Sequence, residues 1–374
     1  MKKVLLASIA GLGMMASMAV AAPAMADPTD VFPAALNGSG SDTTEIVMGE
    51  LDAVIPALGS WNVSGTVPWD TNGPAAGCSI SVRILGSSDG RRALSNSVTN
   101  ADGCFQYART SSRSTSQATA TVGGNYTAPA ATVNQVPIAL ATDGLTYVFR
   151  AGSQTPRNLT LGQLRAIYTC TFTGTVDGLA MAGPNVPNSP LLPTDASGSR
   201  ADWVSLMGLP AGGDVPSDGG TYGACLNDGP GDTGIPGGEF AEHNGNVLSN
   251  GRQIILHSIA QYIGQGRSIA SDTRGLALLG YINGNVPLQQ FDNPASSLTP
   301  ATPSGSVIDD GAWFRTVYNN VPAGLATDPA IIAVFGERAG GNDVTLSDIP
   351  IANSGTGVCD LDSIIIRNGF TPVC

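Results

Sequence analysis

Lysine is nearly absent from this chain. Lys2 and Lys3 are the only two, and every other cation is one of fifteen arginines. Charged residues make up 12% of the 374 positions and aromatic residues 6%, with a formal net charge of −12. Such an acid excess argues against nucleic-acid binding, which needs a cationic face toward phosphates. It also argues against a polybasic membrane-surface protein. Histidine is scarce: His243 and His257 are the only two, neither lies near a cysteine pair, and there is no C-x-x-C. No metal site follows from such a pattern, and no cofactor motif is present. Beyond the N-terminal run no segment is long and apolar enough to span a membrane, and no fixed-period repeat is visible. The low charge does not mean disorder, because 42% of the residues are hydrophobic, enough to bury a core.

The N-terminus reads as an export signal. Lys2 and Lys3 precede an apolar run of small residues from Val4 to about Val20, and Ala24-Met25-Ala26 fits a cleavage site, so residues 1–26 are expected to be removed. A retained membrane helix is the alternative. No cysteine follows the run to carry a lipid. Removal takes both lysines and no acid, moving the net charge from −12 to −14. Any anion site that uses a side-chain charge must then use arginine, whose planar fork suits oxyanions. The expected location is secreted or periplasmic. All six cysteines survive processing, at positions 78, 104, 170, 225, 359 and 374. An even count in an exported chain reads as three disulfides. Of the pairings available, order along the chain favours Cys78–Cys104, Cys170–Cys225 and Cys359–Cys374.

Loops rich in glycine and hydroxyl groups recur beside expected helices. Asn37–Thr44 leads into a helix over Glu45–Leu51, with Ser41 or Asp42 as its cap. Ser81–Leu85 reads as a strand, Gly86–Gly90 as a loop, and Arg91 as a helix start. Phe105–Arg109 reads as a strand that ends in Thr110-Ser111-Ser112. Val136–Leu140 and Leu145–Phe149 read as two apolar strands. Helices are expected at Leu159–Tyr168, with a threonine cap, at Ala201–Met207 and at Pro329–Gly336. Arg315–Val321 and Ser363–Ile366 read as strands, and 294–306 as a linker or surface loop. Mixed strands and helices throughout imply α/β layers. A Ser/Thr/Gly loop at a helix start is a ready anion site, since its free N–H groups and the helix dipole favour negative charge.

Several segments carry a family resemblance: Gly40–Thr44, Arg83–Gly90, Tyr107–Arg113, Leu164–Cys170, Ser197–Arg200 and Arg315–Asn319. In order and spacing the chain resembles the substrate-binding proteins of phosphate ABC transporters, in particular those exported by high-GC Gram-positive bacteria. The resemblance implies a periplasmic-binding-protein-like (type II) fold of two α/β lobes. Two crossover strands would join the lobes around a ligand cleft. Lobe one would be 27–142 plus 315–374, and lobe two 143–314, with crossovers near Leu140–Leu145 and Arg315–Val321. The ligand cage would be formed by Asp42, Thr43, Ser87, Ser88, Ser111, Ser197, Gly198 and Ser199. The implied role is capture of inorganic phosphate or a related oxyanion for uptake, with an ABC permease as partner and no enzymatic activity.

This chain departs from the family pattern at three points. Ser111 stands where phosphate binders carry a carboxylate, Asp42 where they carry a threonine, and Pro193 where an arginine is frequent. Arg109 and Arg200 are the nearest cations in the motifs for an ionised Asp42. The other reading is that Asp42 only caps its helix and both arginines face other acids. A second class is a secreted binding or scaffold protein that reuses the fold without transport. A third is a serine hydrolase, because Gly86-Ser87-Ser88-Asp89-Gly90 matches G-x-S-x-G with Ser88 as nucleophile and His243 or His257 as base. Little chain precedes Ser88 and no HGGG-type segment accompanies it. His243 otherwise reads as a surface-loop residue, and His257 as a satisfied polar group in an apolar strand.

Overall fold

The computed structural model describes residues 27–28, 36–55, 57–63, 65, 67–71, 78–122, 126–175, 190–216, 219–229, 240–249, 251–284, 313–335 and 364–372. The signal segment, the 294–306 stretch and the expected Cys359–Cys374 pair lie outside these residues. The first half of the chain builds β1 (Leu36–Gly40), α1 (Glu45–Asp52), β2 (Leu58–Ser60), β3 (Trp69–Asp70), β4 (Ser79–Ile80), α2 (Gly86–Asn100), β5 (Tyr107–Thr110) and β6 (Ser116–Ala118). β7 (Thr132–Arg150), a strand of 19 residues, comes next. Beyond it are β8 (Asn158–Leu159), α3 (Leu161–Tyr168), β9 (Pro190–Leu191), α4 (Gly198–Met207), β10 (Ile254–Ser258), α5 (Ile259–Gly266), β11 (Ala277–Leu279) and β12 (Tyr281–Ile282). β13 (Trp313–Pro322), a short helix at Pro329–Phe335 and β14 (Thr371–Pro372) follow.

The main sheet runs in the order β2-β1-β5-β13-β7-β10-β9. β1 is parallel to β2 and β5, and β9 is parallel to β10. The long strands β7 and β13 pair antiparallel from Trp313↔Leu145 to Pro322↔Gln135, with a register shift after Val317. They carry the sheet from one hydrophobic cluster to the other. Ile138, Leu140 and Ala141 of β7 pack with Leu36, Val47, Tyr107 and Phe335. Leu145, Tyr147 and Phe149 pack with Leu164, Trp203 and Leu256. The changeover falls around Asp143, directly opposite Arg315 in the ladder. The carboxyl ends of β1 and β5 open into loops discussed below, and that of β10 runs directly into α5, as is usual for sites on α/β sheets.

Among the described residues two disulfides are formed, Cys78–Cys104 and Cys170–Cys225. Thr160 caps α3 in a box with Gln163, as its sequence pattern requires.

Other expectations fail for physical reasons. Val136–Leu140 and Leu145–Phe149 are one strand, because Asp143 does not break it but pairs with Arg315 across the ladder. Asn37–Gly40 belongs to β1 rather than to a loop. The strand expected at Ser81–Leu85 is absent apart from a bridge between Leu85 and Gly40. Arg83 instead turns to Asp27 and lies over the Trp69 ring. Gly86–Gly90 is the opening of α2, not a loop. Gly86 sits at φ +82°, where a Cβ would overlap the Ala196 carbonyl, so the backbone approach requires glycine. Of the strand expected at Ser363–Ile366, the described part is helical: residues 364–367 form a turn in which Asn368 N–H donates to the Ile364 carbonyl. Burial of Ile364 and Ile365 in the cluster around Phe335 overrides the β-branched preference there.

Candidate functional site

Loops from both sides of β7 converge on the carboxylate of Glu242. Thr43, just past β1, donates its hydroxyl to Glu242 Oε1 at 2.8 Å. Ser197, at the N-cap of α4, donates to Glu242 Oε2 at 2.5 Å while accepting from Arg200 N–H. The carboxylate therefore lies at a helix N-terminus, where negative charge is favoured. His243 Nδ1 accepts from Ser258 N–H at 3.3 Å. That assigns the ring proton to Nε2, which lies 3.0 Å from Glu242 Oε1.

Arg315 closes the other side. Its Nη2 donates to Ser199 Oγ at 2.5 Å and lies 3.4 Å from Thr43 Oγ1. It also pairs with Asp143 at 3.3 Å and, through Nη1, with Asp202 at 3.0 Å. Ser199 Oγ and Thr43 Oγ1 are 3.2 Å apart, so the two sides of the molecule touch at this point. α5 clamps the Thr43 loop, with Gln261 Nε2 donating to the carbonyls of Asp42 and Thr43.

Charge distribution follows from burial. Burial and the neighbouring Glu242 charge raise the Asp42 carboxyl well above its ordinary range. Burial also raises Glu242, but the His243 ring, the Arg315 guanidinium and a hydrogen bond with Asp42 outweigh it and hold Glu242 below the carboxylate range. The two shifts run in opposite directions, Asp42 toward its neutral form and Glu242 toward its charged form. Asp42 Oδ1 and Arg315 Nε are among the polar atoms that remain buried without a partner. Burial raises Asp202 to about 6, against the pull of Arg315. Burial lowers His257 to about 3, so it is neutral near pH 7.

Ser87, Ser111 and Gly198 meet beside this cluster. The Ser87 and Ser111 hydroxyls are 3.0 Å apart, and Ser111 N–H donates to Ser87 Oγ. A methyl on Gly198 would overlap both hydroxyls and stand 2.9 Å from Ser87 Cβ. Gly198→Ala is therefore expected to push the α2 and α4 starts apart and cost about 1–3 kcal/mol. A urea melt reads this directly; an unchanged midpoint would show that the serines rotate away freely.

Of the eight residues expected in the cage, Thr43, Ser197 and Ser199 meet around Glu242 and Arg315. Ser87, Ser111 and Gly198 form the adjacent contact, and Asp42 faces Glu242. Ser88 engages through its backbone, donating to the Ala196 carbonyl at 3.2 Å.

Several residue roles need correction. Asp42 is not the cap of α1; Thr44 holds that position without a side-chain hydrogen bond. Arg109 does not pair with Asp42: it binds the Ser41 and Trp61 carbonyls and Ser60 Oγ, with Glu45 at 3.8 Å. Arg200 is enclosed by Asp195, Asp214 and Asp228. His243 is buried rather than a surface-loop residue. His257 is only half satisfied, with Nδ1 near the Ser258 carbonyl and Nε2 unpartnered. The ring nitrogens of His243 contact Thr43 and Ser258, and Nδ1 of His257 the Ser258 carbonyl, rather than Ser88.

Sequence reasoning missed Glu242, His243 and the role of Arg315. The one signal available was the need for an arginine at any charged anion site. Asp42, Glu242 and His243 each place a possible ligand atom within 4.8 Å of the others. The hydroxyl and N–H donors aimed at Glu242, and Arg315 beside them, suit an anion rather than a cation. Asp195, Asp214 and Asp228 form the other such group, and Arg200 already neutralises it.

Among the described residues no helix is long and apolar enough to cross a membrane. No family model matches the chain, and no curated protein does. Solved structures do overlap it. One is a candidate phosphate ABC transporter substrate-binding protein from Clostridium perfringens, solved with phosphate bound; it is 13% identical over 91% of this chain and 99% of that one, with a TM-score of 0.45. An ABC-type phosphate transport receptor from Vibrio cholerae is 13% identical over 90% and 99%, with a TM-score of 0.41. A human phosphate-binding apolipoprotein is 11% identical over 90% and 91%, with a TM-score of 0.44. At such identity and overlap, the site rests on the residues of this chain.

Proposed function

We propose that the chain is an exported solute-binding protein that captures a phosphate-like oxyanion between two lobes and delivers it to an ABC permease. The lobes are taken as 27–142 plus 315–374 and 143–314. One observation carries this reading. Thr43 and Ser197 donate to the Glu242 carboxylate, His243 Nε2 lies 3.0 Å from it, and Arg315 stands 3.4 Å from the Thr43 hydroxyl, so four separate segments meet around one acid. A carboxylate is itself an oxyanion, so the junction has hydrogen-bond donors of the kind such a ligand needs. Ser87, Ser111 and Ser199 add hydroxyls nearby, and Gly198 lets them approach. Phosphate is the first ligand to test because the hydroxyl loops resemble those of phosphate carriers. A secreted or periplasmic location accords with the two disulfides, which form and persist in oxidising compartments.

Thermal melts of the mature protein with phosphate, arsenate and sulfate test the reading. A ligand at a hundred times its dissociation constant adds about 2.7 kcal/mol by mass action. The melting temperature is expected to rise with phosphate or arsenate, and less in Ser197→Ala. The competing reading is a secreted scaffold, favoured by the same Glu242 contacts if the junction never opens. An unmoved melting temperature with every anion would select it.

A further inference from the structure

We propose that Glu242 is a resident occupant of the cage, a built-in competitor that an incoming oxyanion must displace. The proposal rests on the oxyanion reading above and concerns how that site is regulated.

Hydrogen counting carries the argument. A serine or threonine hydroxyl has one hydrogen to give. That of Thr43 goes to Glu242 Oε1, and that of Ser197 to Glu242 Oε2. The Nε2–H of His243 donates to Thr43 Oγ1 at 3.2 Å, and Nε2 lies 3.0 Å from the same carboxylate. Two hydroxyl donors available to a ligand are thus already spent on one side chain, and the His243 N–H is held against Thr43 beside them. A second anion could not use them while Glu242 stays, and it would meet the oxygens of a carboxylate across a short distance in a buried site. Ligand and Glu242 therefore exclude each other.

Local backbone geometry fits a side chain held in place by its surroundings. His243, next to Glu242, has φ +63°, a left-handed conformation uncommon for a residue with a Cβ. Its carbonyl is gripped by Gln265 Nε2 and Thr273 Oγ1. The turn is thereby fixed with Glu242 aimed at the Ser197 and Thr43 loops. These contacts come from one side of β7 and Thr43 from the other, so the seated carboxylate also latches the two sides together. An unpartnered Arg315 Nε remains beside it for a larger ligand.

Calorimetric titration of inorganic phosphate into the mature wild type, Glu242→Gln and Glu242→Ala tests this at pH 7. The expected result is a dissociation constant at least about tenfold lower in either variant, because the charge or the whole competitor is gone. Unchanged or weaker binding in both variants, with the wild type still binding, overturns the proposal and leaves the oxyanion reading in place. No phosphate binding by any of the three overturns both. Hydrogen exchange of the wild type gives a readout that does not depend on folding of the variants. Saturating phosphate should increase exchange at 240–245 if Glu242 is expelled. Decreased exchange there would contradict displacement.

Discussion

Arg315→Ala should destabilise the protein by about 3–5 kcal/mol, the usual cost of removing one partner from a buried ion pair. Arg315 is 7% exposed and sits between Asp143, Asp202, Ser199 and Thr43. Its loss leaves two carboxylates without their cation, and Asp143 is itself buried. Asp143 keeps the hydrogen bonds from Ser258 Oγ and Ala260 N–H, which sets a limit on the damage. The pH dependence has a definite sign. Without Arg315 the Asp202 carboxyl, already raised to about 6, moves higher still. A carboxyl raised in the folded state penalises folding above that value, and the penalty fades as pH falls through it. The gap between wild type and variant should therefore narrow from pH 8 toward pH 5. Urea denaturation at several pH values measures it. A gap below about 1 kcal/mol, within the range of an exposed ion pair, would show that the guanidinium is not buried among these acids.

Replacing Cys170 and Cys225 together by alanine should cost about 4 kcal/mol in the chain-entropy account of a crosslink closing a loop of this length. The bridge spans 55 residues and ties the end of α3 to the segment past α4. Cys170 and Cys225 pack at the cluster that holds Trp203 and Leu256. The Cys78–Cys104 bridge, with a separation of 26, should cost about half a kcal/mol less. Non-reducing peptide mapping should find both bridges, and thermal melts of the two double variants should rank them in this order. Equal melting temperatures for the wild type and the Cys170/Cys225 variant would contradict the assignment.

Much of the fold could be read from local pattern, and the failures cluster where distant segments decide. The capping box at Thr160 and the strand at Arg315–Val321 are local signals. So are the two local disulfides. The opening of α2 at Gly86 depends on the Ala196 carbonyl, more than a hundred residues away. The continuity of β7 through Asp143 depends on Arg315 in another strand. The site divides the same way. Glycine and hydroxyl loops at helix starts marked candidate anion sites by composition, and the family resemblance picked out Thr43, Ser197 and Ser199 within them. Glu242 and His243 lie in a segment rich in glycine with no periodicity, and nothing local marks a buried carboxylate there. Arg109 and Arg200 adjoin the motifs in sequence but turn to other partners. Adjacency along the chain was a poor guide to which cation enters the junction.

The central claim is that this junction binds an oxyanion. Equilibrium dialysis of radiolabelled phosphate against the purified mature protein tests it most directly, with Thr43→Val as the comparison. The account predicts one phosphate per chain, displaced by excess unlabelled phosphate and weakened at least tenfold in the variant. No retained phosphate at millimolar concentration anywhere from pH 5 to pH 8 would contradict it.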